Sequence, residues 1–266
     1  MTVDLPSGRF FGDAPDVLFG VFHAGSGEVV RDTGILLCHA APQEYSIVYW
    51  IVRQLALDLA SAGFPVLRFD YHATGDSTGA AGEASLTRWV SDIGAAAEEL
   101  RRASGVRRIG VVGMRLGGAL AVRAIAAGLE VRDLVLWDPV VSGTEYVTLM
   151  ERVDRRVHAE RHYPENDLFP HRELFGYPFD EAMRRETESV NLLTEPLGQP
   201  RRMLVVSHGD NARHTALMER ATREGIAAAH EVVDVPPLYA DGIAPQETLF
   251  AHAAKRAIRA FLASRR

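Results

Sequence analysis

The sequence has a single cysteine, Cys38, among its 266 residues, so no disulfide can form within the chain. Cys38 lies in the apolar run ILLCHA, which favours a thiol packed in the core. The sequence also has no apolar run near the roughly 18 residues that a membrane-spanning helix needs, and residues 1–4 do not begin a signal peptide. We therefore expect a soluble, cytoplasmic protein with no membrane partner.

Basic residues are not in excess either: the chain has 29 Lys and Arg residues and 35 Asp and Glu residues. The formal charge is −6 and the isoelectric point about 5.9, which argues against a general nucleic-acid binder. The run GMRLGG lacks the G-x-G-x-x-G fingerprint of dinucleotide sites, and His158, His162 and His171 lack the spacing of zinc ligands. We therefore expect neither a cofactor nor a metal.

Apolar residues make up 47% of the chain, and they recur in two alternating patterns. Short apolar runs that end in polar loops are typical of buried parallel strands, and the segments between them have helical spacing. The pattern predicts an α/β fold with a mostly parallel, doubly wound sheet in one domain, residues 1–266. The predicted strands are 34–40, 64–70, 107–113, 132–138, 201–210 and 230–235; the predicted helices are 47–62, 87–104, 115–127, 212–225 and 247–264.

Two segments depart from this alternation. Residues 17–23 and 28–31, joined by a turn at 24–27, predict an N-terminal antiparallel hairpin. Residues 142–200 interrupt the strand–helix order with polar helical pieces and an aromatic, histidine-rich passage. Insertions between core units often cover a site, so we expect a small helical lid here; a plain structural excursion is the alternative.

The segment GVVGMRLGGAL, residues 110–120, predicts a strand, a sharp turn and a helix. A nucleophile elbow has this form, and its middle residue is a serine. Here the middle residue is Arg115, which cannot attack a carbonyl.

Three further motifs accompany this turn: RFDYHATGDSTG at 68–79, WDPVVSGTEY at 137–146 and VVSHGD at 205–210. Their order resembles the α/β-hydrolase superfamily, and more narrowly the bacterial serine-aminopeptidase-like hydrolases found beside exopolysaccharide and natural-product genes. Some members of that group also carry arginine in place of the serine. The resemblance implies an α/β-hydrolase fold over nearly the whole chain.

The resemblance also implies where a catalytic triad should lie. The nucleophile falls on Arg115, and the acid on Asp210 or on Asp138. The histidine should lie in residues 236–246, which contain none; Tyr239 and Asp241 are the polar side chains of interest there. Ser207 and His208 are adjacent in a strand and point to opposite faces, so they do not replace the missing pair. Ordinary serine ester hydrolysis is therefore not supported.

Arg115 has two interpretations, which are not exclusive. At a helix N-terminus, a guanidinium favours anions such as a carboxylate, phosphate or sulfate of a ligand. A buried guanidinium also needs a partner, and Asp138, Asp210 and Glu44 are candidates for an internal ion pair.

We expect the polar residues at the ends of the strands to form the site. His39 is a candidate base or oxyanion donor, or a histidine bonded to the backbone. The candidate catalytic residues are Asp138, His39, His208 and Asp210. The candidate substrate-binding residues are Arg115, Met114, Glu44, Glu145, Tyr146, Tyr239 and Asp241.

Three functions are compatible with this pattern. The first is an enzyme in a biosynthetic pathway that binds an anionic or acyl small molecule near Arg115 and uses acid–base chemistry, as a lyase, cyclase or transferase. The second is a hydrolase of an ester or thioester that activates water. The third is a non-catalytic binding or accessory protein. A homodimer is compatible with the sequence, which does not fix the oligomeric state.

Overall fold

A computed structural model describes residues 5–26, 29–160, 173–209, 211–233 and 252–264. Eight strands of this part form one sheet in the order β1-β2-β4-β3-β5-β6-β9-β10, and β7 and β8 form a separate two-stranded sheet. The strands are β1 (Ser7–Phe11), β2 (Leu18–His23), β3 (Thr33–Cys38), β4 (Val66–Phe69), β5 (Arg108–Met114), β6 (Asp133–Trp137), β7 (Glu173–Leu174), β8 (Tyr177–Pro178), β9 (Arg202–His208) and β10 (Ala227–Val233).

Helices alternate with the strands of the main sheet, and none in the described residues is long and apolar enough to span a membrane. A short 3₁₀ helix, Ala81–Glu83, precedes α2. The helices are α1 (Pro42–Ser61), α2 (Leu86–Ser104), α3 (Leu116–Ala126), α4 (Gly143–Glu160), α5 (Glu181–Glu188), α6 (Ala212–Arg223) and α7 (His252–Ala263).

Strand connections place helices on both faces of the sheet. Strands β3, β4, β5, β6, β9 and β10 pair in parallel, as predicted. The chain moves from β3 outwards to β4 and then crosses back to β5, so right-handed crossovers put α1 and α2 on opposite faces. In agreement, α2 packs on α3, and α1 on α7. The carboxyl ends of the parallel strands therefore meet at one edge.

The N-terminal hairpin exists, but its predicted second strand was wrong. Strand β2 pairs antiparallel with β1, which precedes it, and not with residues 29–31. Residues 29–31 are not part of any strand. Strand β2 has β1 on one side and β4 on the other, so both of its edges are paired and neither is open to residues 29–31.

Helix α1 begins five residues earlier than predicted. Pro42 is at its first position, where the missing N–H costs no helical hydrogen bond. Gln43 and Glu44 consequently lie on the first turn of α1 and not in the preceding loop. Their position on the helix directs them towards the edge of the sheet. The predicted helix 247–264 is described only from His252 onwards.

The insertion packs on the core through α4 and α5, which contact each other. Glu186 of α5 accepts hydrogen bonds from the N–H groups of Leu86 and Thr87, at the start of α2. A carboxylate at this position also complements the positive end of the α2 dipole. Residues 161–172, which include His162 and His171, lie outside the described part. The use of residues 142–200 as a lid remains a prediction.

Packing at the turn between β5 and α3 can be tested by comparing Gly117, which lies at this turn, with Gly94, a glycine of α2 that lies away from it. A Cβ added at Gly117 would lie 2.2 Å from the carbonyl oxygen of His39, whereas one added at Gly94 of α2 would meet no heavy atom within 4 Å.

We expect Gly117→Ala to lower the free energy of unfolding by about 1–3 kcal/mol, because the backbone of the turn must move away from His39. Gly94→Ala is the matched control, and should raise that free energy by up to about 1 kcal/mol through helix propensity. Urea denaturation of both variants measures the difference. Equal effects would show that the turn tolerates a side chain at residue 117.

Candidate functional site at the edge of the sheet

Arg115 forms the turn between β5 and α3 with a φ of +53° and a ψ of −123°. Non-glycine residues rarely adopt a positive φ, so the surrounding structure must hold it. The N–H of Arg115 donates to the carbonyl oxygen of Trp137 at 3.0 Å, and its carbonyl oxygen accepts from the N–H of Gly118 at 3.1 Å. The turn thus presents an arginine where an elbow presents its nucleophile.

The side chain of Arg115 is bound between two carboxylates. Its Nε donates to Oε1 of Glu44 at 3.0 Å, and its Nη1 donates to Oδ2 of Asp138 at 2.9 Å and to the Asp138 carbonyl oxygen at 3.3 Å. Arg115 is 12% exposed and Glu44 not at all. Burial lowers the pKa of Arg115, but the charges of the two carboxylates raise it further, so the group stays charged. Two of the three predicted internal partners are therefore in place.

Tyr146 of α4 completes the surroundings of Glu44. Its hydroxyl donates to Oε2 of Glu44 at 2.8 Å, and the Arg115 guanidinium carbon lies 5.7 Å from the centre of its ring. The predicted site residues Arg115, Glu44 and Tyr146 are thus brought together, and the insertion supplies one of them.

Asp138 follows β6 and connects Arg115 to His208, at the end of β9. The N–H of Asp138 donates to the Val206 carbonyl oxygen at 2.7 Å, with a φ of +45°. Nδ1 of His208 lies 3.5 Å from Oδ2 of Asp138, at the outer limit of a hydrogen bond. Burial raises the pKa of Asp138, but the charge of Arg115 and the nearby His208 lower it to about 2.

His39 lies just after β3 and is buried. Its Nδ1 is 2.6 Å from the Ala40 carbonyl oxygen, which only accepts, so Nδ1 carries the proton of the neutral ring. Its Nε2 has no hydrogen-bond partner among the described residues. Tyr45 and Tyr71 pack on either side, with ring centres 4.8 and 4.7 Å away. Burial lowers the pKa of His39, and the Asp70 charge and the nearby backbone carbonyls of Ala40 and Phe69 only partly offset this.

Within the described part of the chain, space for a ligand lies beside His39. A cleft of about 440 Å³, within the size range of small-molecule sites, has walls that include His39, Ser77 and Met183. The gap where Tyr146 faces α5 is about 10 Å³, which holds no more than one water.

The other predicted site residues fall into two groups. Met114 is buried at the end of β5, and Glu145 is exposed on α4, where it pairs with Arg213 of α6. Glu145 thus does not face the pocket, because its helix turns it outwards. Asp210, Tyr239 and Asp241 lie outside the described residues. In the described part, no group of three or more His, Cys, Asp or Glu side chains is placed to hold a metal.

Sequence reasoning missed a contact between neighbouring strands. Nε2 of His230 in β10 lies 2.8 Å from the Ser207 hydroxyl oxygen. As predicted, Ser207 does not meet His208, because adjacent residues of a strand point to opposite faces. Val232 is opposite Ser207 in the register, so His230, two residues earlier, lies on the same face as Ser207. Ser207 is fully buried, so it is not placed to attack a substrate. Strand alternation would have predicted this contact once the register was known.

The sheet order and the turn at Arg115 define an α/β-hydrolase fold. The profile of the family described as serine aminopeptidase, S33, matches residues 36–193, more than half of the chain. The chain belongs to this family. No curated protein matches it in sequence.

Solved structures give the same fold. The esterase PF2001 of Pyrococcus furiosus is 17% identical over 97% of this chain and 90% of its own, with a TM-score of 0.64. PA2218 of Pseudomonas aeruginosa is 16% identical over 98% and 94%, also at 0.64. XC6422 of Xanthomonas campestris, described as an α/β serine hydrolase without a lid, is 16% identical over 97% and 91%, at 0.59. At these identities the likeness establishes the fold alone.

The ion pairs of Arg115 predict a large effect on stability. Arg115→Ala leaves the fully buried Glu44 without its cation, so we expect the free energy of unfolding to fall by about 3–5 kcal/mol. Arg108→Ala is the matched control, because Arg108 and its partner Asp32 are both exposed, and should cost at most about 1 kcal/mol. Urea denaturation measures both; similar small losses would contradict a buried cluster.

Asp138 predicts a pH dependence. Its pKa is lower in the folded protein, about 2, than its ordinary value of 3.8, so its carboxylate stabilises the fold above pH 4, and that contribution is lost as the pH falls towards 2. The loss should be about 2 kcal/mol. We expect the free energy of unfolding to fall more steeply over this range in the wild type than in Asp138→Asn. Parallel curves, measured by denaturation at each pH, would show that Asp138 does not titrate this way.

Proposed function

We propose that the protein is an enzyme of the α/β-hydrolase fold that acts on an acyl-type small molecule by acid–base chemistry, without a serine nucleophile or an acyl-enzyme. The observation that carries the proposal is a contrast between two residues. Arg115 is held by two carboxylates, whereas His39 lines a cleft and its buried Nε2 has no partner among the described residues. Membership of a branch with arginine at the elbow, in a biosynthetic pathway, is part of the same proposal.

His39 is the proposed catalytic base. With its Nδ1–H held by the Ala40 carbonyl, a neutral ring offers the Nε2 lone pair, and the lowered pKa keeps the ring neutral at physiological pH. Nε2 can then accept a proton from the substrate or from a water that attacks it. The first route serves a lyase, cyclase or transferase, and the second a hydrolase of an ester or thioester.

Asp138 and His208 have a supporting part in this proposal. A carboxylate with a pKa of about 2 is a weak base at neutral pH. Asp138 therefore holds Arg115 in place, and His208 packs against Asp138. Arg115 is already neutralised, so an acyl ligand fits this edge better than an anionic one. The side chains of residues 142–200 that border the cleft, such as Met183, are the proposed lid.

A second candidate is a non-catalytic binding or accessory protein. The same ion pairs favour it, because Glu44 and Asp138 already accept hydrogen bonds from Nε and Nη1 of Arg115. The two candidates differ in one measurable property: the enzyme converts its ligand with the help of His39, whereas the accessory protein binds the ligand and leaves it unchanged.

We expect the protein to consume at least one uncharged acyl thioester, and His39→Gln to slow this about 10²-fold or more, because the base is lost. The probes are the N-acetylcysteamine thioesters of acetate, butyrate and benzoate, followed by mass spectrometry. His252→Gln, which changes an exposed histidine of α7, is the matched control and should have no effect.

Fluorophosphonate–biotin tests the absence of a serine nucleophile in the same protein. No labelled serine peptide is expected. Labelling of one serine, or turnover that His39→Gln leaves unchanged, would contradict the proposal. Consumption of none of the thioesters, with binding retained, would favour the accessory protein.

A further inference from the structure

We infer that the cleft beside His39 selects an uncharged ligand with an aromatic or apolar body and an N–H or O–H donor, and that Gln43 shares with His39 the recognition of that donor. The inference rests on the proposed function only in taking the cleft as the substrate site. It adds the chemical class of the ligand and a specificity residue, Gln43.

The walls of the cleft carry no formal charge in the described part of the chain. They are formed by the first turn of α1, by the loop that follows β4 and by the insertion. Three aromatic rings line the cleft: Tyr45 comes from the first turn of α1, Trp89 from the start of α2 and Tyr177 from the insertion. Met183 adds a thioether. Such walls favour flat, apolar groups, through ring packing and sulfur–aromatic contacts.

Two hydrogen-bond acceptors at the cleft have no partner among the described residues. One is Nε2 of His39, whose role as acceptor follows from the proton on Nδ1; the other is Oε1 of Gln43. Both atoms are shielded from solvent, so a ligand donor reaches them only when the side chains at the cleft move slightly apart; because an unpaired buried acceptor is costly, pairing with a donor favours that movement. A ligand with N–H or O–H groups removes this cost, whereas one that has only acceptors does not.

Charges behind the walls disfavour an anion. Asp70 accepts a hydrogen bond from the Tyr45 hydroxyl at 2.9 Å, and its carboxylate also touches the loop after β4. Glu83 lies at the outer part of that loop, 3.9 Å from His72. At the elbow, Arg115 is outnumbered by its two carboxylates. Arg68 is the cation whose charge reaches His39 and Tyr45, but it is not part of the cleft wall, so a carboxylate ligand would lose its hydration without a direct ion pair.

Three probes of similar shape separate these effects: phenylacetamide, which is uncharged and has donors; methyl phenylacetate, which is uncharged and has none; and phenylacetate, an anion. We expect the amide to bind about tenfold more tightly than the ester, through the donor, and about 100-fold more tightly than the anion. Ligand-observed NMR titration measures the three dissociation constants. Equal binding of amide and ester, or preferred binding of phenylacetate, would overturn the inference.

Variants test the residues that make the selection. Gln43→Leu and His39→Phe keep apolar bulk but remove an acceptor, so each should reduce the preference for the amide over the ester severalfold. Gln43→Leu keeps the test decisive if His39→Phe does not fold.

A second pair of variants tests where the probes bind. Ala81→Trp fills the exposed mouth of the cleft and should abolish binding of all three probes, while Ala127→Trp, on an exposed residue after α3, should not. Probe binding unchanged in Ala81→Trp would show that the ligand lies elsewhere.

The outcomes distinguish this inference from the proposed function. Selective binding of the amide without turnover of any thioester supports the ligand class and contradicts the enzyme. Turnover that needs His39, with no preference among the probes, supports the enzyme and contradicts the ligand class.

Discussion

A buried guanidinium between two carboxylates is the interaction on which this edge of the sheet depends. Arg115 cannot leave Glu44 and Asp138 without leaving two carboxylates uncompensated, one of them fully buried. Both Arg115 and Asp138 have a positive φ, at the ends of adjacent strands β5 and β6. The ion pairs therefore fix a strained backbone as well as a charge. In a serine hydrolase this place must leave a hydroxyl accessible; here an arginine paired with two carboxylates occupies it.

Arg115 is held by its ion pairs, and the side chain proposed to react, His39, lies farther along the same edge of the sheet. Gly117 brings α3 against the backbone of His39, so the turn at Arg115 and the loop after β3 form one unit. His39 is oriented by its own backbone neighbour, Ala40, and held between two tyrosine rings. The residues with an unpaired acceptor in the described part of the chain thus line the cleft, while Arg115, Glu44 and Asp138 pair with one another at the elbow.

The insertion is part of the same arrangement. Tyr146 supplies a hydrogen bond to Glu44, and Glu186 joins α5 to the start of α2. A change in the position of α4 would alter the surroundings of the buried carboxylate. Tyr146 thus links the ion-pair cluster to the insertion, although the two come from distant parts of the sequence.

The sequence by itself determined the order of strands and helices, the arginine at the elbow and the absence of histidine from residues 236–246. These follow from local patterns, because apolar periodicity and a glycine-flanked turn depend on neighbouring residues. It did not determine which strand pairs with β2, since local propensity does not choose between two flanking segments. The placement of Glu44, the contact of Ser207 with His230 and the unpaired acceptors of His39 and Gln43 required the tertiary structure. Each depends on strand register, or on where a helix begins against a sheet, and packing between distant segments decides both.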